Sequence, residues 1–279
     1  MKLIHLTDTH LVPAPARLYG LDPRARLKTA LASIATRHAD ADALIVTGDL
    51  CHWGEEAAYR ELADLVADIR IPVVLMMGNH DDRAAFRKVF PDALNDGNGF
   101  VQGSRIIDGH RLLFLDTKED GTHAGHYSAE RLAWLEQTLA ESDESILLFM
   151  HHPTFLIGIS SMDALRQQDS DALWAVLAPH AARIRHIFMG HIHRPIFGNW
   201  NGMSFSILPS LMHQVPLRLD GHGRDVPGSH EPPAYAVVDI SGDAVVSHLD
   251  FFMDASQRFP LDGHEVHGRE YALTFPPAS

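Results

Sequence analysis

Met77-Gly78-Asn79-His80-Asp81 closes a short apolar run, Val73 to Met77, with an amide, an imidazole and a carboxylate. Four other apolar runs end in a similar way. Leu3 to Leu6 leads into Asp8-Thr9-His10, and Ala43 to Val46 into Gly48-Asp49. Ile146 to Met150 leads into His151-His152, and Ile187 to Met189 into Gly190-His191-Ile192-His193. Short apolar runs bounded by Gly, Pro or polar clusters read as buried strands. In open α/β sheets, ligands bind at the carboxyl ends of such strands. Five candidate strands therefore deliver Asp, His or Asn where a ligand would sit, and all three are metal-ligand types.

The remaining elements are placed outward from these runs. Asp22-Pro23 reads as an N-cap with proline at the first helical position, opening a helix to about His38. Further helices are expected over residues 55–68, 82–90, 128–140 and 170–180, and a strand over 111–115. Shorter strands are expected around 100–102 and 106–108. In the final third, residues 196–200, 203–208, 234–240 and 244–250 alternate or run apolar with no obvious helices between them. Strand–helix alternation followed by a strand-rich half predicts an α/β fold of two sheets packed face to face, with helices outside. Residues 220–233, rich in Gly, His and Pro, read as a long loop or cap. The organisation expected is one domain over 1–253 and a tail over 254–279 that offers an oligomer contact.

Composition narrows the function. Apolar residues make up 46% of the 279, and no uninterrupted apolar segment approaches the roughly 20 residues needed to cross a bilayer. No signal-peptide core follows Lys2, so a cytoplasmic location is the default expectation, with no membrane partner. Cys51 is the single cysteine, which excludes an intrachain disulfide and fits a reducing compartment. A small, half-buried thiol is expected there rather than a metal ligand. The net charge of −13, with His neutral, comes without a Lys/Arg run, which argues against a nucleic-acid polymer as partner. The same acidity would repel a small phosphate ester unless bound divalent cations overrode it. Among the 20 histidines, His38, His110, His180, His186 and His248 lie outside the clusters and read as surface or supporting residues.

The clustered residues suit a metal one by one. Asp8 and His10 alternate at a strand end, where a turn can aim both at one point. Asp49 has two oxygens and can bridge two cations. Asn79 offers a neutral amide oxygen, a ligand for a hard or borderline ion. His151, His191 and His193 supply imidazoles.

The series Asp8-x-His10, Gly48-Asp49, Gly78-Asn79-His80-Asp81, His151-His152 and Gly190-His191-x-His193 resembles the calcineurin-like metallophosphoesterase superfamily. It is most similar to the branch holding bacterial glycerophosphodiesterases and class III cyclic nucleotide phosphodiesterases. The likeness extends into Leu18-Tyr19-Gly20, Met150-His151-His152-Pro153 and Met212-His213-Gln214-Val215-Pro216, and covers nearly the whole chain. The resemblance implies a four-layer α-β-β-α sandwich of two packed mixed sheets flanked by helices, with a dinuclear metal site at the carboxyl ends of the strands. Residues 1–253 would then be the catalytic domain.

By that resemblance, Asp8, His10, Asp49 and His193 would hold one metal, and Asp49, Asn79, His151 and His191 the other. Asp49 and a hydroxide would bridge them. Mixed N/O ligands suit Fe, Mn, Zn or Co. Two such ions, about 3.5–4 Å apart, lower the pKa of the shared water, which attacks phosphorus, and clamp both ends of an in-line displacement. His80 would face the phosphoryl oxygens, stabilising charge and protonating the leaving alkoxide. Asp81 would orient His80 or cap the following helix. Tyr19, His123 and His213, with Asn79 and His80, are candidates for the substrate pocket, and His152 for packing or support.

Charge accounting then favours diesters. Two divalent cations against two carboxylates and a hydroxide leave one positive charge, which a diester monoanion neutralises and a monoester dianion overshoots. Monoester sites commonly add arginine clamps. Leu50-Cys51-His52-Trp53-Gly54 carries none, and Arg83 is expected to start a helix. The function expected is a dinuclear phosphodiesterase for small diesters of the cyclic nucleotide or glycerophosphodiester type. A phosphomonoesterase of the same fold and a phosphonate monoester hydrolase are the alternatives. A non-catalytic interaction protein would have lost ligands that this chain retains. Similarity to dimerising relatives implies a homo-oligomer.

Overall fold

Strands apolar on both faces must be covered on both, and the strands of this protein sort their side chains accordingly. The computed structural model describes residues 1–141, 143–219, 221, 225–259 and 273. In β1 (Lys2–Leu6), Leu3 turns to one side and Ile4 and Leu6 to the other, all fully buried. β2 (Ala43–Val46) repeats the division, with Ala43 and Ile45 beside Leu3 and Leu44 and Val46 beside Ile4.

Helices α1 (Pro23–Arg37), α2 (Glu56–Val66) and α3 (Arg83–Val89) cover the Ile4 side through Leu27, Ile34, Tyr59, Leu62 and Phe86. Asp22 caps α1 by accepting from the Ala25 nitrogen at 3.0 Å, and Asp82 caps α3 from Ala85 at 2.7 Å. With β3 (Val73–Leu75), β10 (Tyr235–Ser241) and β11 (Ala244–Asp250), β1 and β2 form a sheet of order β11-β10-β1-β2-β3. β1, β2 and β3 run parallel, and β10 lies antiparallel to β1.

The second sheet comprises β4 (Gly103–Ile107), β5 (His110–Phe114), β6 (Ser145–Phe149), β7 (Ile184–Met189), β8 (Ile196–Trp200) and β9 (Met203–Ile207), in the order β4-β5-β6-β7-β9-β8. Its four central strands are parallel and its two edges antiparallel. Leu112, Phe114, Leu147, Phe149 and Phe188 meet Leu3, Ile45, Val74, Ala236 and Val238 between the sheets. The Phe149 and Phe188 rings stack there with centroids 4.6 Å apart. The outer face is closed by α4 (Ala129–Ala140), α5 (Ser160–Asp163) and α6 (Ser170–Leu177), through Leu135, Leu139, Met162, Leu173 and Leu177. This is the expected four-layer α-β-β-α sandwich.

Local departures from expectation have identifiable causes. Residues 100–108 contain one strand, β4, rather than two. The Phe100 and Val101 nitrogens are already taken by the Asp96 and Asp116 carboxylates, so the ladder begins at Gly103. α6 stops at Leu177 because Pro179 has no N–H to continue it, and the chain tightens into a 3₁₀ turn, Ala178–Arg183. His186 is not a surface residue. It sits between the sheets, its nitrogens 2.8 and 2.9 Å from the Ser204 and Ser206 hydroxyls. Among the described residues, no helix is long and apolar enough to cross a membrane. Most of the 254–279 tail and part of the 220–233 loop lie outside the described residues.

Candidate metal centre

The carboxyl ends of β1, β2, β3, β6 and β7 meet at one rim, where their loops interlock. The Asp8 nitrogen donates to the Gly48 carbonyl at 3.1 Å, His10 to Asp49 at 2.9 Å, and Gly190 to His151 at 3.1 Å. Asp8, His10, Asp49, His191 and His193 all adopt the left-handed region, with φ between 43° and 69°. Non-glycine residues are scarce there, and each such turn swings its side chain off the strand end toward the rim's centre.

All seven expected ligands come together. Asp8, His10, Asp49 and His193 each offer an atom within 4.8 Å of the others. The His193 Nε2 stands 3.1 Å from Asp8 Oδ1 and 3.0 Å from the His10 Nε2. Next to this group, the His151 Nε2 lies 3.2 Å from Asn79 Oδ1. The Asp49 Oδ2 is 3.6 Å from the His10 Nε2 and 3.4 Å from the His151 Nε2, so one carboxylate oxygen lies between the two groups. The His191 ring is 5.2 Å from that of His151, and its Nε2 is buried with no hydrogen-bond partner among the described residues.

The hydrogen bonds around the rim decide which atoms face inward. The His193 Nδ1 donates to the His213 carbonyl at 2.8 Å, and the His151 Nδ1 to the Thr47 carbonyl at 2.7 Å. Each bond holds a proton on Nδ1, so Nε2 is the nitrogen aimed at the centre and the one left to ligate a metal. The Asn79 amide nitrogen is 2.8 Å from the His123 Nδ1, which turns the amide oxygen inward. Burying two carboxylates and an amide oxygen among these imidazoles is costly without a cation. The donor set fits a pair of N/O-ligated metal ions.

The electrostatics agree. Burial opposes ionisation of Asp49, but the imidazoles of His151, His80 and His10 outweigh it and hold the carboxyl well below its usual range. Burial also opposes charging of His151, yet the Asp49 charge and hydrogen bond push it up to about 9. Burial, reinforced by His151, drives His191 well below its ordinary value, and burial does the same to His10. A cation held by the His151 Nε2 would therefore have to displace a proton from it.

Asp81 has a different place from either one expected. Its carboxylate accepts from the backbone nitrogens of Leu50, Cys51 and Gly78, at 3.1, 3.1 and 2.9 Å, and from the Tyr59 hydroxyl at 2.9 Å. It therefore ties the Asp49 loop to the Asn79 loop and neither touches the His80 ring nor caps α3, which Asp82 does. The His80 Nδ1 instead donates to the His52 carbonyl at 2.8 Å. Cys51 is wholly rather than half buried, packed among the core residues beneath α1 and α2. The His152 Nδ1 meets the Thr117 hydroxyl at 2.7 Å while its ring packs 4.5 Å from that of His191. Arg83 starts α3, and its guanidinium is paired with Asp116 at 2.8 and 2.9 Å.

A cleft of about 500 Å³ opens over the rim. Tyr19, His52, His80, His123 and His213 line one part, and Met162, Leu165, Val215, Val226 and Pro227 form an apolar wall. No lysine or arginine is among the described lining residues. Residues 226–230 cover the cleft, anchored by paired Gln214 and Ser229 backbones and by the His230 Nε2, 3.1 Å from the Tyr19 carbonyl. His52, which the sequence reading passed over, has its ring stacked on that of His80 at 4.7 Å. Only its position, three residues beyond Asp49 in a strand-end loop, could have pointed to it.

The family profile described as calcineurin-like phosphoesterase matches residues 1–195. A Rhodopseudomonas palustris protein named as a probable cyclic nucleotide phosphodiesterase is 46% identical over 265 residues, covering 94% of this chain and 96% of its own. The glycerophosphodiester phosphodiesterase of Enterobacter lignolyticus is 30% identical over 221 residues, covering 77% of this chain and 79% of its own. Among solved structures, a dimetal phosphatase from Danio rerio superposes with a TM-score of 0.66 at 16% identity. The match covers 89% of this chain and 95% of that one, and it speaks to the fold.

Proposed function

This chain belongs to the calcineurin-like phosphoesterase family, and we propose that it is a dinuclear metal-dependent phosphodiesterase for small diesters of the cyclic nucleotide or glycerophosphodiester type. The observation that carries the reading is the convergence of seven ligand-type side chains, with Asp49 Oδ2 between the His10 and His151 Nε2 atoms. Asp8, His10, Asp49 and His193 would hold one ion, and Asp49, Asn79, His151 and His191 the other, with Fe, Mn, Zn and Co all suited to the donor set. When bound, such a pair supplies Lewis-acid polarisation of the phosphoryl group and an acidified water.

The protein's own groups do the rest. With its Nδ1 committed to the His52 carbonyl, His80 presents Nε2 to the cleft, where the imidazolium form would stabilise phosphoryl charge and pass its Nε2 proton to the leaving alkoxide, ending as the neutral ring. His123 keeps the Asn79 oxygen turned inward, and Tyr19 and His213 bound the space the ester occupies. The 226–230 cover and the apolar wall limit water around the reacting phosphorus.

A site with one net positive charge and no described cationic clamp suits a monoanionic diester. The test is a comparison of bis(p-nitrophenyl) phosphate with p-nitrophenyl phosphate and a phosphonate monoester on one metal-loaded preparation. The expected kcat/KM favours the diester over the monoester by about tenfold or more, about 1.4 kcal/mol in barrier. Monoester hydrolysis as fast as diester hydrolysis would move the protein to the phosphomonoesterase reading. A catalytic domain ending near residue 253, a tail that contacts a second copy, and a cytoplasmic setting consistent with the lone Cys51 belong to the same proposal.

A further inference from the structure

Three imidazoles at the rim are oriented by a common device, and His10 by a different one. His151, His193 and His80 each donate Nδ1–H to a backbone carbonyl, those of Thr47, His213 and His52, at 2.7, 2.8 and 2.8 Å. A carbonyl can only accept, so each ring keeps a proton on Nδ1 and turns Nε2 to the site. His10 has no carbonyl at its Nδ1. Its partner is the Nδ1 of His52, 3.1 Å away.

Two facing imidazole nitrogens make a hydrogen bond only if one carries the proton and the other does not. The choice is settled on the far side of His10. Its Nε2 lies 3.0 Å from the His193 Nε2 and 3.6 Å from Asp49 Oδ2, among the atoms that would share an ion. A ligating Nε2 cannot carry the proton, so His10 must be protonated on Nδ1. The His52 Nδ1 is then the acceptor, and the His52 proton resides on Nε2. We propose that His52 is the positioning residue of the first metal site: its ring fixes the tautomer and plane of His10, while its backbone carbonyl fixes His80.

The remaining contacts support this role. His52 is only 7% exposed, and the His10 that its ring touches is fully buried. His80 stacks on His52 with ring planes 17° apart, and Trp53 packs edge-on at 4.6 Å, so His52 has little freedom to rotate away from His10. The Leu11–Cys51 bridge and the His52 nitrogen, which donates to the Leu11 carbonyl at 2.9 Å, tie the backbones of the two loops together. One short segment thereby sets the direction of a metal ligand and of the residue proposed to protonate the leaving group. Neither task required a charged side chain at this position.

The inference rests on the metal-centre reading above, and the test separates the two. Cobalt(II) is titrated into the full-length wild type, His52→Asn, His52→Phe and His52→Leu, following the d–d absorption bands and chelator competition. Asn can place its amide oxygen near the position of the imidazole Nδ1 and accept from His10. Phe keeps the ring without an acceptor, and Leu provides a smaller replacement should Phe fail to fold. Wild type and His52→Asn are expected to bind two equivalents with affinities within about threefold. His52→Phe and His52→Leu should bind one equivalent normally and the other about 10- to 100-fold more weakly, the usual cost of losing a partner that orients a ligand. Wild-type affinity at both sites in His52→Phe or His52→Leu overturns the role of His52 and leaves the metal centre standing. Equal weakening in His52→Asn also overturns it. Failure of the wild type to take two equivalents removes the metal centre, and this inference with it.

Discussion

Gly78 lies against the Asp49 side chain so closely that a Cβ on it would stand 2.2 Å from Asp49 Oδ1 and 2.3 Å from the Asp49 nitrogen. The Asp49 carboxylate is also held by the His80 nitrogen, which donates to Oδ1 at 2.9 Å. The proposed bridging ligand is therefore backed by a wall of main chain. Gly78→Ala should displace Asp49, weakening metal binding at both sites by tenfold or more and lowering the melting temperature by several degrees. Metal titration of Gly78→Ala that matches the wild type would mean that the loop yields without disturbing Asp49.

Removing the Asp49 carboxylate should be more severe. Asp49→Ala is expected to lose both ions and nearly all activity, because its Oδ2 serves both ligand groups. Asn79→Ala should weaken mainly the second site and recover in part with excess metal. Elemental analysis decides between them, and two tightly held equivalents in Asp49→Ala would end its assignment as a bridge.

His80 is predicted to act on the substrate rather than on the ions. His80→Ala should keep two metals yet lose roughly 10²–10⁴-fold in kcat, the range for a general acid or charge stabiliser. The loss should be smaller for nitrophenol leaving groups, which need no proton. If poor and good leaving groups suffer equally, His80 positions the phosphoryl group and does not protonate.

The two histidines between the sheets should make stability depend on pH. Burial lowers His186 to about 4, and burial with the nearby His186 charge lowers His5 to about 3. Both stay neutral in the folded protein, whereas in the unfolded chain they take up a proton below about pH 6.5. Their neutral-state stabilisation is complete above that value and is lost as pH falls toward the folded values, because the unfolded state binds more protons. The melting temperature should fall by about 5 °C or more between about pH 6.5 and 4.5. His186→Gln, which can still reach the serine hydroxyls, should flatten that slope. An unchanged slope would place the dependence elsewhere.

The strand-end residues that converge at the rim were readable from sequence because their signal is local: an apolar run, a turn, then an acid, amide or imidazole. The helix cap at Asp22 is local in the same sense. Asp81, His52 and His186 were not readable, since what each does depends on segments brought in by the fold. Asp81 spends its carboxylate on nitrogens 30 and 31 residues away, and His52 meets a ring 42 residues upstream. His186 has the composition of a surface residue and becomes interior only because Ser204 and Ser206 arrive on the neighbouring strand. The early end of the expected strand near residue 100 has a similar origin, in carboxylates that claim its donors from outside the ladder.

The left-handed turns at Asp8, His10, Asp49, His191 and His193 set stability and activity against each other. Each of these residues occupies a conformation that costs an L side chain of order 1–3 kcal/mol, and glycine would adopt it freely. Selection for heat resistance alone, applied to the ion-free chain, would therefore favour glycine at the very positions the chemistry needs, yielding a sturdier and inert protein. Selection in the presence of metal would reverse that preference, because ions that bind only the folded state add stability through the same side chains. The site is thus a place where the fold gives up stability so that ligands can point inward, and the ions restore it.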